Sequence, residues 1–374
     1  MKTANIFRKT LALVSAALMT LTLAACSSQA PAATAAPAAE SAAPVESAAP
    51  AESAAAEETP AEAGKIYKVG IVKYVDDASL DQIEQSIQAE LDKKGAELGV
   101  TFDYADYTKN GQADSTTLNQ IAADLIADGV DVIIPIATPA ALIMQAATEE
   151  NAIPVVFSAV SDPVGAGLVD SLEAPGSNIT GTSDALKVEA VIDLMLAANP
   201  DLKKLGLLYD QGQDSSKSAI AAAKAYCETK GIETVEKTGT TNDELALAAD
   251  ALIAAKVDAV FTPTDNTVMT AELAIYEKFV DAKIPHYAGA DSFALNGAFC
   301  GYGVNYVTLG TSTADIAVDV LVNGAQPAST PVQIMSSGIA TVNTEVASAI
   351  GLDYSAFASL CEELKETITQ ESFN

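Results

Sequence analysis

The sequence predicts an α/β protein of two similar Rossmann-like lobes with parallel sheets, joined by a three-stranded hinge. Three observations carry this. Strand-like apolar runs alternate with longer helical stretches through residues 65–374, enough chain for two domains. The alternating pattern then occurs a second time. After the second copy a short block remains, too small for a third lobe, which reads as the chain returning first to one lobe and then to the other.

In order, strands are expected over 67–74, 130–136 and 154–157, with helices over 80–98 and 115–126 at an apolar spacing near 3.6. The second copy is visible residue by residue. Lys68-Val69-Gly70-Ile71-Val72 is echoed by Lys204-Leu205-Gly206-Leu207-Leu208, and Asp131-Val132-Ile133-Ile134 by Asp258-Ala259-Val260-Phe261. Ile153-Pro154 returns as Ile284-Pro285. So long a period indicates duplicated lobes and not a solenoid. The remaining block holds a helix over 312–321 and a strand over 332–334. The expected division is 65–181 with 294–326 for the first lobe and 182–293 with 327–353 for the second. A tail over 354–374 then ends in a short helix.

The N-terminus is expected to be an export signal. Lys2, Arg8 and Lys9 precede an apolar run over 11–25, too short to span a bilayer comfortably. Leu23-Ala24-Ala25-Cys26 resembles the bacterial lipobox, which makes 1–25 a signal peptide and Cys26 the lipid-modified first residue. Residues 26–64 are Ala, Pro, Ser and Glu with no apolar side chain larger than Ala except Val45, so they are expected to be a disordered tether. The expected location is the extracytoplasmic face of the cell membrane, lipid-anchored.

Charge removes several function classes. Of 20 basic residues three lie in the first ten positions, leaving 17 against 50 acids, and Arg8 is the only arginine. So anionic a surface is repelled by nucleic acid and by anionic membrane. Any anionic ligand group must be held by backbone N–H groups, hydroxyls or Lys. The single His286 leaves little room for a metal site or for acid–base catalysis. No nucleophile elbow, Walker loop or zincin motif occurs, so no catalytic residue, cofactor or metal is expected.

In an open parallel sheet the ligand sits beyond the carboxyl ends of the strands. After the strand over 130–136 come Ala137-Thr138-Pro139-Ala140, with Thr138 as N-cap and Pro139 at the first helical position. Thr138, the Ala140 N–H and Ser158 at the next strand's end are the expected carboxylate holders. In the second copy Asp265 falls opposite Thr138, followed by Asn266; it is either an ammonium partner or simply a helix cap. Asp291 is a second acid at the cleft, and Tyr74, Phe157, Tyr209 and Phe293 are aromatics near strand ends.

Together the lipobox, Thr138-Pro139-Ala140-Ala141, Ile153-Pro154-Val155-Val156-Phe157 and Ser161-Asp162-Pro163-Val164 are similar to a known family. So are Asn178-Ile179-Thr180-Gly181, Pro263-Thr264-Asp265-Asn266 and the segment 301–310. They resemble the ABC-transporter substrate-binding lipoproteins of the type I periplasmic-binding-protein fold, in the branch with tryptophan- and tyrosine-binding members, over about residues 66–352. The resemblance implies capture of a small ligand, an amino acid or similar zwitterion, and its delivery to a membrane permease by a monomer. The family often has His-Pro-Ala-Leu-Asp where this chain has Asp77-Ala78-Ser79-Leu80-Asp81, so Asp77 or Ser79 stands in for that His. A module presenting a solute to a membrane receptor is the alternative reading. Cys227, Cys300 and Cys361 are expected to be mainly buried thiols, with at most one disulfide.

Overall fold

The computed structural model describes residues 64–370. The signal peptide, Cys26 and the tether lie outside the described residues. The first lobe opens with β1 (Ile66–Lys73), α1 (Ala78–Leu98), β2 (Thr101–Asp103), β3 (Thr108–Asn110) and α2 (Ser115–Asp128). It continues through β4 (Val132–Ile136), α3 (Thr138–Thr148), β5 (Val155–Phe157) and β6 (Ile179–Ser183). The second lobe follows with α4 (Val188–Ala198), β7 (Lys204–Tyr209), α5 (Asp214–Lys230), β8 (Glu233–Thr238) and α6 (Asn242–Ala254). Then come β9 (Ala259–Thr262), α7 (Asn266–Asp281), β10 (His286–Ala288), α8 (Asp291–Leu295) and β11 (Cys300–Gly303). The late chain supplies α9 (Tyr306–Val322), β12 (Gln333–Ile334), β13 (Ile339–Asn343), α10 (Thr344–Ile350) and β14 (Glu363–Thr367).

One sheet runs β2-β1-β4-β5-β6-β12, with β3 also on β1; the other runs β8-β7-β9-β10-β11-β13-β14. Pairing is parallel except between β11 and β13. The strand order in the two sheets matches through five strands, and the duplicated residues serve the same purpose in each. A Cβ on Gly70 would sit 3.0 Å from Leu125 of α2, and one on Gly206 would sit 3.0 Å from Leu252 of α6. The glycines let a helix pack directly on the first strand. Asp131 accepts the Lys68 N–H at 2.7 Å and Asp258 accepts the Lys204 N–H at 2.8 Å, so each pins the start of one strand to its neighbour. Ile83, Ile87 and Leu91 form the buried stripe of α1. Helix α9 packs on α1, and Gly310 permits it, because a Cβ there would meet the Ile83 carbonyl at 2.6 Å.

The chain crosses between the sheets three times, from β6 to α4, from β11 to α9 and from β12 to β13. Three expectations shift. The crossing expected at 293/294 lies after β11, because β11 pairs with β10 and Gly301 packs where a Cβ would meet the Ala290 carbonyl at 2.1 Å. β12 belongs to the first sheet, pairing Gln333 with Thr182. The tail is not helical beyond one 3₁₀ turn (Ser355–Ser359); its period-two run Glu363-Leu364-Lys365-Glu366-Thr367 pairs along the whole of β13 as an edge strand. Cys227, Cys300 and Cys361 are free thiols. His286 is buried, its Nδ1 at 2.9 Å from Glu272 and its Nε2 at 2.8 Å from Thr262.

Candidate functional site

The carboxyl ends of the two sheets face each other across a seam that encloses a cavity of about 30 Å³. The first lobe supplies Ser79 and Leu80 from α1, Ala137 and Thr138 after β4, Ala159 and Ser161 after β5, Asp184 after β6, and Tyr306 from α9. The second supplies Ser215 from α5, Thr264, Asn266 and Met269 at the β9–α7 junction, and Ala290 and Phe293. Helices α1, α3, α5, α7 and α9 all start at this cavity. Asp77, Asp265 and Asn305 cap α1, α7 and α9, whereas α3 and α5 have no side-chain cap, so their dipoles and first-turn N–H groups favour a carboxylate despite the absence of arginine.

Backbone geometry decides what Thr138 does. Ala137, not Thr138, is the N-cap of α3, at φ 79 and ψ 151, a region costly for any side chain. Its carbonyl accepts the Ala141 N–H at 3.1 Å, so Thr138 and Pro139 each move one position into the helix from where the sequence put them. Thr138 is 2% exposed, and its buried hydroxyl then has no backbone N–H to cap and no hydrogen-bond partner. Ser215 Oγ on the opposite wall is likewise buried and unpartnered. Ala159, also on the wall, has φ 55. Two strained alanines and two unsatisfied hydroxyls thus meet at the cavity.

Asp184 is the one acid on the wall. It accepts a single side-chain bond, from Ser161 Oγ at 2.9 Å, and burial pushes its carboxyl up to about 6. Asp265 is held differently. Its oxygens accept from the N–H groups of Thr267 and Val268 and from Asp210 N–H and Ser216 Oγ, at 2.6–3.1 Å. It is the cap of α7, turned into its own lobe, and burial raises it to about 6. Asp77 caps α1 through Ser79 N–H and Leu80 N–H, and burial, with Asp291 nearby, takes it to about 6. Ser79 Oγ donates across the seam to Asp291 at 2.6 Å, and Ser161 Oγ and Thr264 Oγ1 bridge it at 2.7 Å.

Of the expected residues, Ser79, Thr138, Asn266 and Phe293 line the cavity. Asn266 is further held by Gln213 at 3.1 Å. Ala140 is buried in the first turn of α3 with its N–H outside the helical ladder. Ser158 is turned away, bonded at 2.8 Å to Thr313, which also takes Thr182 and ties β5, β6 and α9 together. Tyr74 meets Gln213 of the other lobe and is not on the wall. Sequence reasoning missed Asp184, Ser215 and Tyr306. The first two follow the same rule that found Thr138, since Asp184 succeeds β6 and Ser215 opens the helix after β7. Tyr306 carries no local signal, because its helix returns from the late chain. Among the described residues no cluster of His, Cys, Asp and Glu could hold a metal, and no helix is long and apolar enough to cross a membrane.

The family described as ABC transporter substrate binding protein matches residues 68–360. A tyrosine-binding protein of Clostridioides difficile is 31% identical over 293 residues, 78% of this chain and 83% of that protein. A Streptococcus pneumoniae ABC domain solved with L-Trp is 30% identical, with a TM-score of 0.74, covering 80% of this chain and all of that one. A ligand-free, open substrate-binding protein with adhesive properties from Clostridium difficile is 32% identical, with a TM-score of 0.62 over 81% of this chain and 100% of that one.

Proposed function

The chain belongs to the ABC transporter substrate binding protein family, and from that premise we propose a lipid-anchored receptor that takes one free aromatic amino acid into the interlobe cleft. The ligand carboxylate is held by the Thr138 hydroxyl and the first-turn N–H groups of Thr138 and Ala140, with Ser215 reaching it from the second lobe. The ammonium pairs with Asp184. Leu80, Met269, Phe293 and Tyr306 surround the side group.

One observation carries this reading: an unpartnered, buried Thr138 hydroxyl and an under-bonded Asp184 carboxylate share one cavity wall, which has no basic side chain among its fourteen residues. That is an anion-accepting end and a cation-accepting end without competing charge. Relatives named for tyrosine and solved with L-Trp support an aromatic side group. A cavity of about 30 Å³ is too small for an aromatic amino acid, so the solute enters by parting of the lobes about the three crossings, and the loaded cleft is wider than this one. Anchoring through Cys26 keeps the receptor beside the permease that accepts its cargo.

Isothermal titration with the twenty common L-amino acids tests the reading. Saturable binding of Tyr or Trp is expected; no binding of any amino acid overturns it. Lipidation is checked separately by incorporation of labelled fatty acid, lost in Cys26→Ala.

A further inference from the structure

We propose that Ser79 is a positioning residue that sets the balance between open and closed lobes, through a hydrogen-bonded latch to Asp291. The proposal rests on the reading of the seam as a closing cleft. Ser79 opens α1 in the first lobe, and its hydroxyl does two things across the seam. It donates to Asp291 Oδ1 at 2.6 Å and accepts the Ser292 N–H at 3.2 Å. The residue before Asp291 is Ala290, which has no side-chain oxygen to take that N–H, so the second lobe depends on the first for it. Gln82, three residues on from Ser79 and on the same helix face, reaches the other oxygen, Asp291 Oδ2, at 3.4 Å. Every side-chain donor on Asp291 among these bonds therefore belongs to the opposite lobe.

Opening strips all three bonds at once and hydrates the carboxylate. Closing restores them and buries the acid, whose carboxyl burial pushes upward. Bonds to an ionised group stabilise, while dehydration of that group opposes them, so the latch is near balance and a ligand of modest affinity can tip it. No Lys or Arg hydrogen-bonds Asp291, which keeps closure reversible. Facing Asp291 are Asp77 from the α1 cap and Tyr306 from α9, with Lys365 contributing attraction from β14.

The test uses full-length protein with spin labels at exposed Asp124 on α2 and Glu228 on α5, and reads the interlobe distance distribution without ligand. Wild type is expected to show a short and a long population. Ser79→Ala and Asp291→Ala each deplete the short one and raise the Kd for the amino acid about tenfold. Asp291→Asn, which keeps an acceptor for Ser79, retains the short population. The Ser79→Ala/Asp291→Ala double variant is less open than the sum of the two single effects, because both changes remove the same Ser79–Asp291 bond. A wild type lacking the short population, a Ser79→Ala distribution equal to wild type, or fully additive single effects each overturn the latch. Because distances are read without ligand, failure of wild type to bind any amino acid sinks the ligand assignment and leaves this result standing.

Discussion

Replacing Asp184 with Asn should move stability and affinity in opposite directions. Asparagine keeps an oxygen for Ser161 and removes the charge. The Asp184 carboxyl stands near 6 in the folded chain against 3.8 for the unperturbed group. A folded pKa raised above the unfolded value means the ionised acid destabilises the fold, fully above about 6 and progressively less as pH falls toward 3.8. Two units correspond to about 3 kcal/mol, so the neutral variant should melt roughly 5 °C higher at pH 7.5. At pH 5, where the native acid is largely protonated but the unfolded one is still ionised, the gain should fall to about half. The ligand ammonium meanwhile loses its buried partner, worth about 2–5 kcal/mol, so Kd should rise at least about thirtyfold. Differential scanning calorimetry at both pH values and titration with Tyr or Trp measure the two effects. A melting gain of equal size at both pH values, or an unchanged Kd, would refute the assignment of Asp184.

Wild type itself should become more stable as pH is lowered from 7 toward 5, since burial holds Asp77, Asp184 and Asp265 all near 6; a melting temperature that falls over this range contradicts it. Thr138→Val, which removes the unpartnered hydroxyl at nearly constant volume, should leave melting within about 0.5 kcal/mol of wild type yet weaken binding about tenfold by titration. Asp265→Ala should act on the fold, costing about 2–4 kcal/mol in chemical denaturation because four donors lose their acceptor; an unchanged midpoint would show that the cap is dispensable.

What could be read from residues alone follows from which constraints are local. Gly70 and Gly206 recur because each must admit a leucine of the next helix, and Asp131 and Asp258 recur because each ties two strand starts, so duplication was legible as spelling. The carboxyl-end rule found Thr138 and Asn266 and, applied after β6 and β7, reaches Asp184 and Ser215 as well. What was hidden is non-local or conformational. Nothing in an alanine announces φ 79, yet that angle at Ala137 displaces Thr138 from the cap into the first turn and leaves its hydroxyl unpartnered. Asp265 could be an ammonium partner or a cap, and only the positions of Ser216 and Asp210 decide between them. The two residues of β12 are exposed and too short to declare their sheet, which the pairing with Thr182 and Ser183 alone reveals.

The three crossings also bear on how the molecule is made. Its final strands are shared out, β12 to one sheet and β13 and β14 to the other, so neither half is a contiguous stretch of polypeptide. A nascent chain released short of residue 333 would leave both sheets with a bare margin, and no cut in the gene yields a self-sufficient half. Assembly is consequently completed only once nearly the whole chain is present.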